Sequence, residues 1–399
     1  MWGGLSVASI GDQMFSVVRS WVAAAVFGTA SGYLNAAQSV GMLAVALLSG
    51  AWADRVEHRR MMIGADLLRL AALLLVAASW ALAGTPVGWA LFLGVFLMAV
   101  GMGLYRPAMQ TVLPGIVATA EELPAANALI DTTDRLSRLI GPAIIGAASV
   151  LAPLWAFVAA AGLGFAASAA STLLILRRQP ARLAAAGRPS LLGAIIGGFR
   201  VLRPHPLLWF MLMVSGWING AWFTAFFVAL PLIIEARNVT VPGGGGGLAG
   251  YGYIMMGYGG VNLASTLVTG SRGLKALTGR TIFWGNFLLA AGIVIIGAAA
   301  ILAPADWLFA CLLLGSSIAA IGGPMHDITV ATLRQLAVPG REMGPAVRAF
   351  MLLNHLGAFI AMLMAPTILD AIGVAATTIL CGTTICAVAA LGIMRFRRS

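Results

Sequence analysis

Charge is what this sequence has least of. Asp, Glu, Lys and Arg make up 9% of 399 residues, against 60% hydrophobic residues and a mean hydropathy of +0.96. A soluble domain carries about 25% charged residues. The composition therefore excludes an aqueous fold, and lipid must be the solvent for most of the chain. Acid is scarcer than base: 13 Asp and Glu against 24 Lys and Arg leave a net charge of +11. Cysteine is limited to Cys311, Cys381 and Cys386, each in an apolar stretch, which excludes a disulfide framework and a zinc-ligand spacing. The four histidines form no His-x-x-x-His pair, and no nucleophile-base constellation is suggested. The chain is not expected to be an enzyme, and no metal or cofactor is expected. No basic run precedes the first apolar stretch, so a cleaved signal peptide is not expected.

What is there is a series of apolar runs. A membrane-spanning helix needs about 20 mainly apolar residues. Twelve such spans are expected at roughly 5–28, 34–53, 62–83, 89–110, 125–150, 154–176, 206–234, 250–270, 281–302, 307–330, 346–369 and 374–394. Basic residues collect in the connections after even-numbered spans: three Arg in 54–60, six in 177–205, three Lys or Arg in 271–280 and three Arg in the tail. Eighteen of the 24 basic residues fall on this one side, five lie within or near spans, and Arg237 alone lies on the other. That asymmetry follows the positive-inside rule and places both termini in the cytoplasm, facing anionic lipid. No basic stripe with interleaved aromatics exists, so nucleic acid is excluded as a partner.

The longest polar stretch, 177–205, divides the chain near its midpoint. The expected fold is an all-α membrane protein with twelve transmembrane helices in two six-helix bundles, 1–176 and 206–399, joined by a cytoplasmic linker at 177–205. Gln110-Thr-Val-Leu-Pro114 after span 4 and Gln335-Leu-Ala-Val-Pro339 after span 10 fall at the same step of their halves, which supports internal duplication. The Gly run 243–247 is expected to be a mobile loop on the far side.

Charges inside spans cost roughly 2.5–3.5 kcal/mol each at the centre, so their positions are informative. Span 1 holds Asp12 and Arg19, two turns apart on one face. Span 5 holds Asp131, Asp134, Arg135 and Arg138 at i, i+3, i+4, i+7, a stripe that must face the bundle interior or lie near the cytoplasmic end. Span 4 adds Arg106, and span 10 adds His326-Asp327, a titratable pair or a satisfied polar patch. Asp66 and Arg69 in span 3 read as a local ion pair beside the cytoplasmic gate. Asp134 with Arg138 reads the same way, at i, i+4. Asp12 has no acid-base partner within one turn and is a candidate for proton or substrate binding. His355 in span 11 reads as a packed histidine. Trp217, Trp222, Phe223, Phe226 and Phe227 crowd span 7, either packing or lining an apolar cavity. Asn219 beside them is a possible polar counterpart of Asp12 in the second half.

Between spans 2 and 3 lies Gly50-Ala-Trp-Ala-Asp54-Arg55-Val-Glu-His-Arg59-Arg60. It resembles the signature loop of the major facilitator superfamily, whose Gly, Asp and Arg residues are associated with the cytoplasmic gate. Arg138-Leu-Ile-Gly141-Pro142-Ala-Ile-Ile-Gly146 resembles the Gly-Pro motif of helix 5 in that superfamily's proton-driven antiporters. Pro142 removes a backbone donor there, and Gly141 and Gly146 thin the helix. Gly11-Asp12, Arg106-Pro107-Ala108 with Leu123-Pro-Ala-Ala-Asn127, and Leu333-Arg-Gln335 are similar to the branch containing the enterobactin exporter and the macrolide-efflux proteins. Two features depart from the pattern: Arg106 is followed by Gln at the fourth position rather than the third, and the second-half loop from Gly270 lacks its Asp.

The resemblance implies a secondary active transporter in the bacterial inner membrane, acting as a monomer by alternating access. It implies proton-coupled export of small amphipathic molecules of drug or siderophore class. A lysophospholipid or other lipid-like substrate, flipped on the same fold, is the alternative; divalent-metal export is a third. The topology makes a prediction of its own. A cysteine introduced into 177–205 should stay unlabelled by an impermeant thiol reagent applied outside intact cells. Labelling there would overturn the span count or its orientation.

Overall fold

The computed structural model describes residues 2–52, 57–113, 123–175, 191–241, 245–272 and 277–396. A helix meets each expected span, because only helices satisfy every backbone group within their own segment in lipid. The first six are α1 (Trp2–Phe27), α2 (Ser31–Trp52), α3 (His58–Ala83), α4 (Gly88–Val112), α5 (Leu123–Ala148) and α6 (Leu154–Ile175). A short helix α7 (Leu191–Leu202) follows. Span 7 is composite: α8 (Pro206–Phe223) passes through a π-helical segment, Thr224–Ala229, into α9 (Leu230–Ala236). The rest are α10 (Leu248–Ser271), α11 (Gly279–Leu302), α12 (Ala305–Ala337), α13 (Gly340–Ile372) and α14 (Val374–Arg395).

Nine stretches among the described residues are long and apolar enough to cross a membrane. One of the nine contains both α1 and α2, since only a 3-10 turn, Gly28–Ala30, separates them. α5 and α10 complete the twelve. α5 is less apolar because of its four charges, α10 because of its glycines and tyrosines. Large side chains such as Leu82, Leu302 and Trp307 stand exposed, as they must where lipid replaces water.

Two features differ from the sequence-based expectation. The linker 177–205 contains α7, whose Gly198 packs against the Pro345 backbone of α13 while Arg200 stays exposed in its last turn. The six basic residues of that stretch obscured its apolar face; residues 176–190 lie outside those described. Helices α12 and α13 run for 33 residues each, beyond the expected 307–330 and 346–369. At 1.5 Å per residue each is about 50 Å long, well past a hydrocarbon core of about 30 Å. The added turns carry Arg334 at the end of α12 and Glu342 at the start of α13.

The chain forms two compact units, Met1–Val26 with Ala37–Pro189, and Phe27–Ala36 with Ser190–Ser399. In the first, α3 packs on α4 and α6. Glycines set the closest approaches. A Cβ on Gly11 of α1 would lie 2.7 Å from the Ala161 carbonyl oxygen of α6, and one on Gly141 of α5 would lie 2.6 Å from Gln13 Cβ of α1. In the second unit, α11 packs on α12 and α14, α10 on α12, and α13 on α7 and α8. Residues 27–36 join this unit: Gly32 lies against the Met362 carbonyl and Pro366 of α13, and Asn35 Nδ2 approaches the Phe227 carbonyl at 3.5 Å. Tyr251, fully buried, donates to the Phe226 carbonyl at 3.1 Å. Side chains thus cover carbonyls that the π-helical step displaces from the regular ladder.

Arg237, the one basic residue expected on the far side, has a structural role. It donates to the Ala300 carbonyl and, at 3.0 Å, to the Ala303 carbonyl, capping the end of α11. A cation there meets the negative pole of the helix dipole.

Where α11 and α12 cross, a Cβ on Gly285 would lie 2.8 Å from both the Gly322 carbonyl oxygen and Met325 Cβ. Gly285→Ala should therefore destabilise the protein by about 1–3 kcal/mol, the usual cost of overpacking. Thermal unfolding in detergent, followed by reaction of the half-buried cysteines Cys311, Cys381 and Cys386 with a fluorogenic maleimide, measures this. An unchanged midpoint would contradict the crossing.

Candidate functional site

The first unit encloses a cavity of about 90 Å³ among α1, α3, α4, α5 and α6. Its position follows from the close contacts. Gly11 lets α1 lie against α6 and Gly141 lets α5 lie against α1, so the polar residues beside them turn into a common space. Ser9, Asp12 and Gln13 contribute from α1, Arg69 from α3, Tyr105 and Arg106 from α4, Asp134 and Arg138 from α5, and Ser168 from α6.

Most of these charges are held. Asp66 and Arg69 form a buried i, i+3 ion pair, with Asp66 at 0% exposure. The Arg69 guanidinium also lies over two rings, 4.3 Å from the Phe165 centroid and 4.7 Å from that of Tyr105. Desolvated cation–π contacts of this kind contribute about 2 kcal/mol. Tyr105 Oη and Ser168 Oγ are 3.4 Å apart behind the pair. Asp134 uses both carboxylate oxygens: Oδ2 accepts from Arg106 Nη2 at 2.6 Å and Oδ1 from Ser9 Oγ at 3.2 Å.

Asp12 is half-buried and differs from both. Arg69, Arg19 and Arg106 attract its charge and Asp134 opposes it. Among the described residues it has no hydrogen bond and no ion pair within 4.0 Å. It is a carboxylate in a small cavity, surrounded by guanidiniums but fastened to none.

The remaining expected residues divide clearly. Asp131 pairs with Arg135 at 2.8 Å on the outer part of α5, with Asp131 more than half exposed, away from the cavity. The expected Asp134–Arg138 pair is not formed, because α4 and α1 have already taken both Asp134 oxygens. Arg19 is 6% exposed and donates to Gln38 Oε1 at 2.7 Å. His326 is half-buried and Asp327 exposed. As consecutive helical residues they point apart rather than forming a pair, and His326 Nδ1 is enclosed with no hydrogen-bond partner among the described residues. Asn219 is half-buried on α8 and His355 half-buried on α13, both in the second unit. Gly141, Pro142 and Gly146 are all buried on α5.

In the segment between α2 and α3, Gly50 lies in the last turn of α2, while Asp54 and Arg55 lie outside the described residues. Arg60 pairs with Glu57 at 3.0 Å on the surface, and Arg59 Nη2 donates to the Leu173 carbonyl at 3.1 Å, near the C-terminus of α6. The aromatic group on α8 centres on Trp222. It donates to Tyr258 Oη at 3.1 Å and packs against Phe223, Phe226 and Phe227, while Trp217 is exposed on the outer face. Tyr105 and Ser168 were not among the expected site residues. Tyr105 adjoins Arg106, but nothing in the spacing of a single helix indicates which residues of α3 and α6 it meets.

The sequence pattern of the Major Facilitator Superfamily matches residues 1–362. The chain belongs to the major facilitator superfamily. It is therefore a multi-pass membrane protein and a secondary transporter of small molecules rather than an enzyme. Solved structures agree on the fold. A POT family transporter in complex with a thioalcohol-conjugated peptide superposes with a TM-score of 0.75 at 16% identity, covering 99% of this chain and 96% of that one. A second POT family transporter, bound to 5-aminolevulinic acid, gives 0.74 at 15% identity over 99% and 95%. A bacterial homologue of the iron transporter ferroportin, in an inward-facing state, gives 0.74 at 14% identity over 98% and 97%. A search of curated proteins finds no sequence match. As a major facilitator protein the chain places its densest charge in the six helices that carry the signature loop.

The buried pair makes a stability prediction. Asp66→Asn leaves the Arg69 cation buried without its counter-ion, and should cost on the order of 3–5 kcal/mol. The double variant Asp66→Asn/Arg69→Met removes both charges and should recover most of that loss. Thermal unfolding of the single and double variants provides the comparison; equal losses would mean that the pair is not coupled.

Proposed function

We propose that this major facilitator protein is a proton-coupled exporter of small amphipathic molecules, of drug or siderophore class, working by alternating access. The observation that carries the proposal is Asp12. A coupling carboxylate must be reachable and must be able to gain and lose its proton without breaking a structural bond. Asp66 and Asp134 fail that requirement because each is locked to an arginine. Asp12 meets it, lining the cavity with no ion pair among the described residues. In this reading Asp12 exchanges its proton as the cavity opens to each side, and Arg69 and Arg106 keep the unprotonated state tolerable.

The direction of transport rests on Gly141-Pro142 and Gly146, the antiporter-type elements of α5. Gly50, Asp54, Arg55, Arg59 and Arg60 form the cytoplasmic gate, with Arg59 fastened to the end of α6. The protein acts as a monomer in the bacterial inner membrane with both termini in the cytoplasm. Metal export is disfavoured by charge, since three guanidiniums share the cavity with Asp12 and would repel a divalent cation. Flipping of a lipid-like substrate is the second reading, because a cationic cavity on this scale suits a polar head.

Asp12→Asn, which keeps shape and removes the titration, should abolish pH-gradient-driven substrate movement in proteoliposomes. The expected fall is at least about 100-fold, in line with loss of a positioned proton carrier, with little change in thermal stability. A wild-type rate in this variant would remove Asp12 from coupling.

A further inference from the structure

The contacts of α1 and α5 fix their register. Ser9 bonds Asp134, and Gly141 abuts Gln13 and Met14, so the two helices ascend in the same sense. Asp12 lies three residues beyond Ser9, and Arg138 four residues beyond Asp134. Each is one helical turn further along, so the two reach the same level of the cavity that both line. Neither has an ion pair or a hydrogen bond among the described residues, including with the other. The remaining cavity charges are consumed in the Asp66–Arg69 and Arg106–Asp134 pairs.

The cavity therefore presents one unmatched anion and one unmatched cation, level with each other and not touching. A purely cationic ligand would satisfy Asp12 but face Arg69, Arg106 and Arg138. A purely anionic one would satisfy Arg138 but meet Asp12. A ligand carrying both signs satisfies both groups and adds no net charge to a low-dielectric site, where uncompensated charge is costly. Size points the same way. A cavity of about 150 Å³ holds benzene, so about 90 Å³ suits a head group of a few heavy atoms, with an apolar remainder lying outside it.

We propose that this cavity binds the compact zwitterionic head of an amphipathic substrate, its ammonium group at Asp12 and its carboxylate or phosphate at Arg138. The proposal rests on the transporter reading above and specifies its substrate class. The same chemistry occurs in free amino-acid-type compounds and in the ethanolamine head of a lysophospholipid.

The test uses the full chain in nanodiscs of phosphatidylglycerol, which carry no zwitterionic competitor. Binding is measured by titration calorimetry for L-phenylalanine, the cation-only L-phenylalaninamide and the anion-only N-acetyl-L-phenylalanine. A second series compares lysophosphatidylethanolamine with lysophosphatidic acid. The zwitterion of at least one series should bind about ten-fold or more tightly than its single-charge analogues, the scale of one charge-assisted hydrogen bond. Preference in the first series assigns the site to free zwitterions, and preference in the second to lipid heads.

Arg138→Gln should make phenylalanine no better than its amide, and Asp12→Asn should make it no better than the N-acetyl compound. The same substitutions apply to the lysolipid series if that is the one preferred. Absence of preference in both series, or preference unchanged in both variants, overturns the inference. Should either variant aggregate, Arg138→Lys keeps the charge and must retain zwitterion preference. Proton-driven ethidium movement in proteoliposomes is read in parallel. Ethidium movement without zwitterion preference defeats this inference and leaves the exporter standing. Preference without proton-driven movement of ethidium or of the bound zwitterion does the reverse.

Discussion

The constraint on which this structure depends is the cost of charge in hydrocarbon. Each ionised side chain inside a span must be paired, shared among dipoles or put to use. The first unit shows how pairing meets that cost. Asp66 is fully buried because Arg69 lies within its own turn, and Arg69 is tolerated because the Tyr105 and Phe165 rings lie against its guanidinium. Arg106 and Asp134 neutralise each other across α4 and α5, with Ser9 taking the second oxygen. With those four charges settled, Asp12 and Arg138 remain as the cavity's unmatched groups, and the functional reading follows from what is left over.

The second unit meets the same constraint with less charge. Its polar groups serve the backbone. Tyr251 and Asn35 cover carbonyls in the π-helical part of span 7, and Arg237 caps α11. Asn262 and Ser265 of α10 donate to carbonyls of α12 at 3.3 and 2.8 Å. Aromatic packing around Trp222 takes the place that ion pairs hold in the first unit. The two units differ in chemistry: one gathers its charges around a cavity, the other offers apolar surface and a rare helical irregularity of the kind often found at functional sites.

Close backbone approach makes both arrangements possible. Lipid provides no hydrophobic drive for helices to associate, so packing and small residues must supply it. Gly11 and Gly141 bring α6, α1 and α5 together, and the charged residues beside them occupy the narrow space that results. The glycines that thin these helices therefore also define the size of the cavity, and so the size of what it can hold.

The sequence by itself determined the solvent, the twelve spans and the superfamily. Hydropathy is a one-dimensional property, and a helix in lipid has no other way to satisfy its backbone. It also singled out Asp12, because a lone carboxylate in an apolar run is conspicuous, and the Asp66–Arg69 pair, because i, i+3 neighbours meet on any helix; the Asp131–Arg135 pair at i, i+4 emerged only in the structure. Only the tertiary structure decided which charges meet between helices. It gave Asp134 to Arg106 and Ser9 rather than to Arg138, placed Tyr105 and Ser168 behind the buried pair, separated His326 from Asp327, and turned part of the linker into α7. Those outcomes depend on the rotation and register of one helix against another. Side-chain contacts across the interface set both, and the periodicity of a single helix does not encode them.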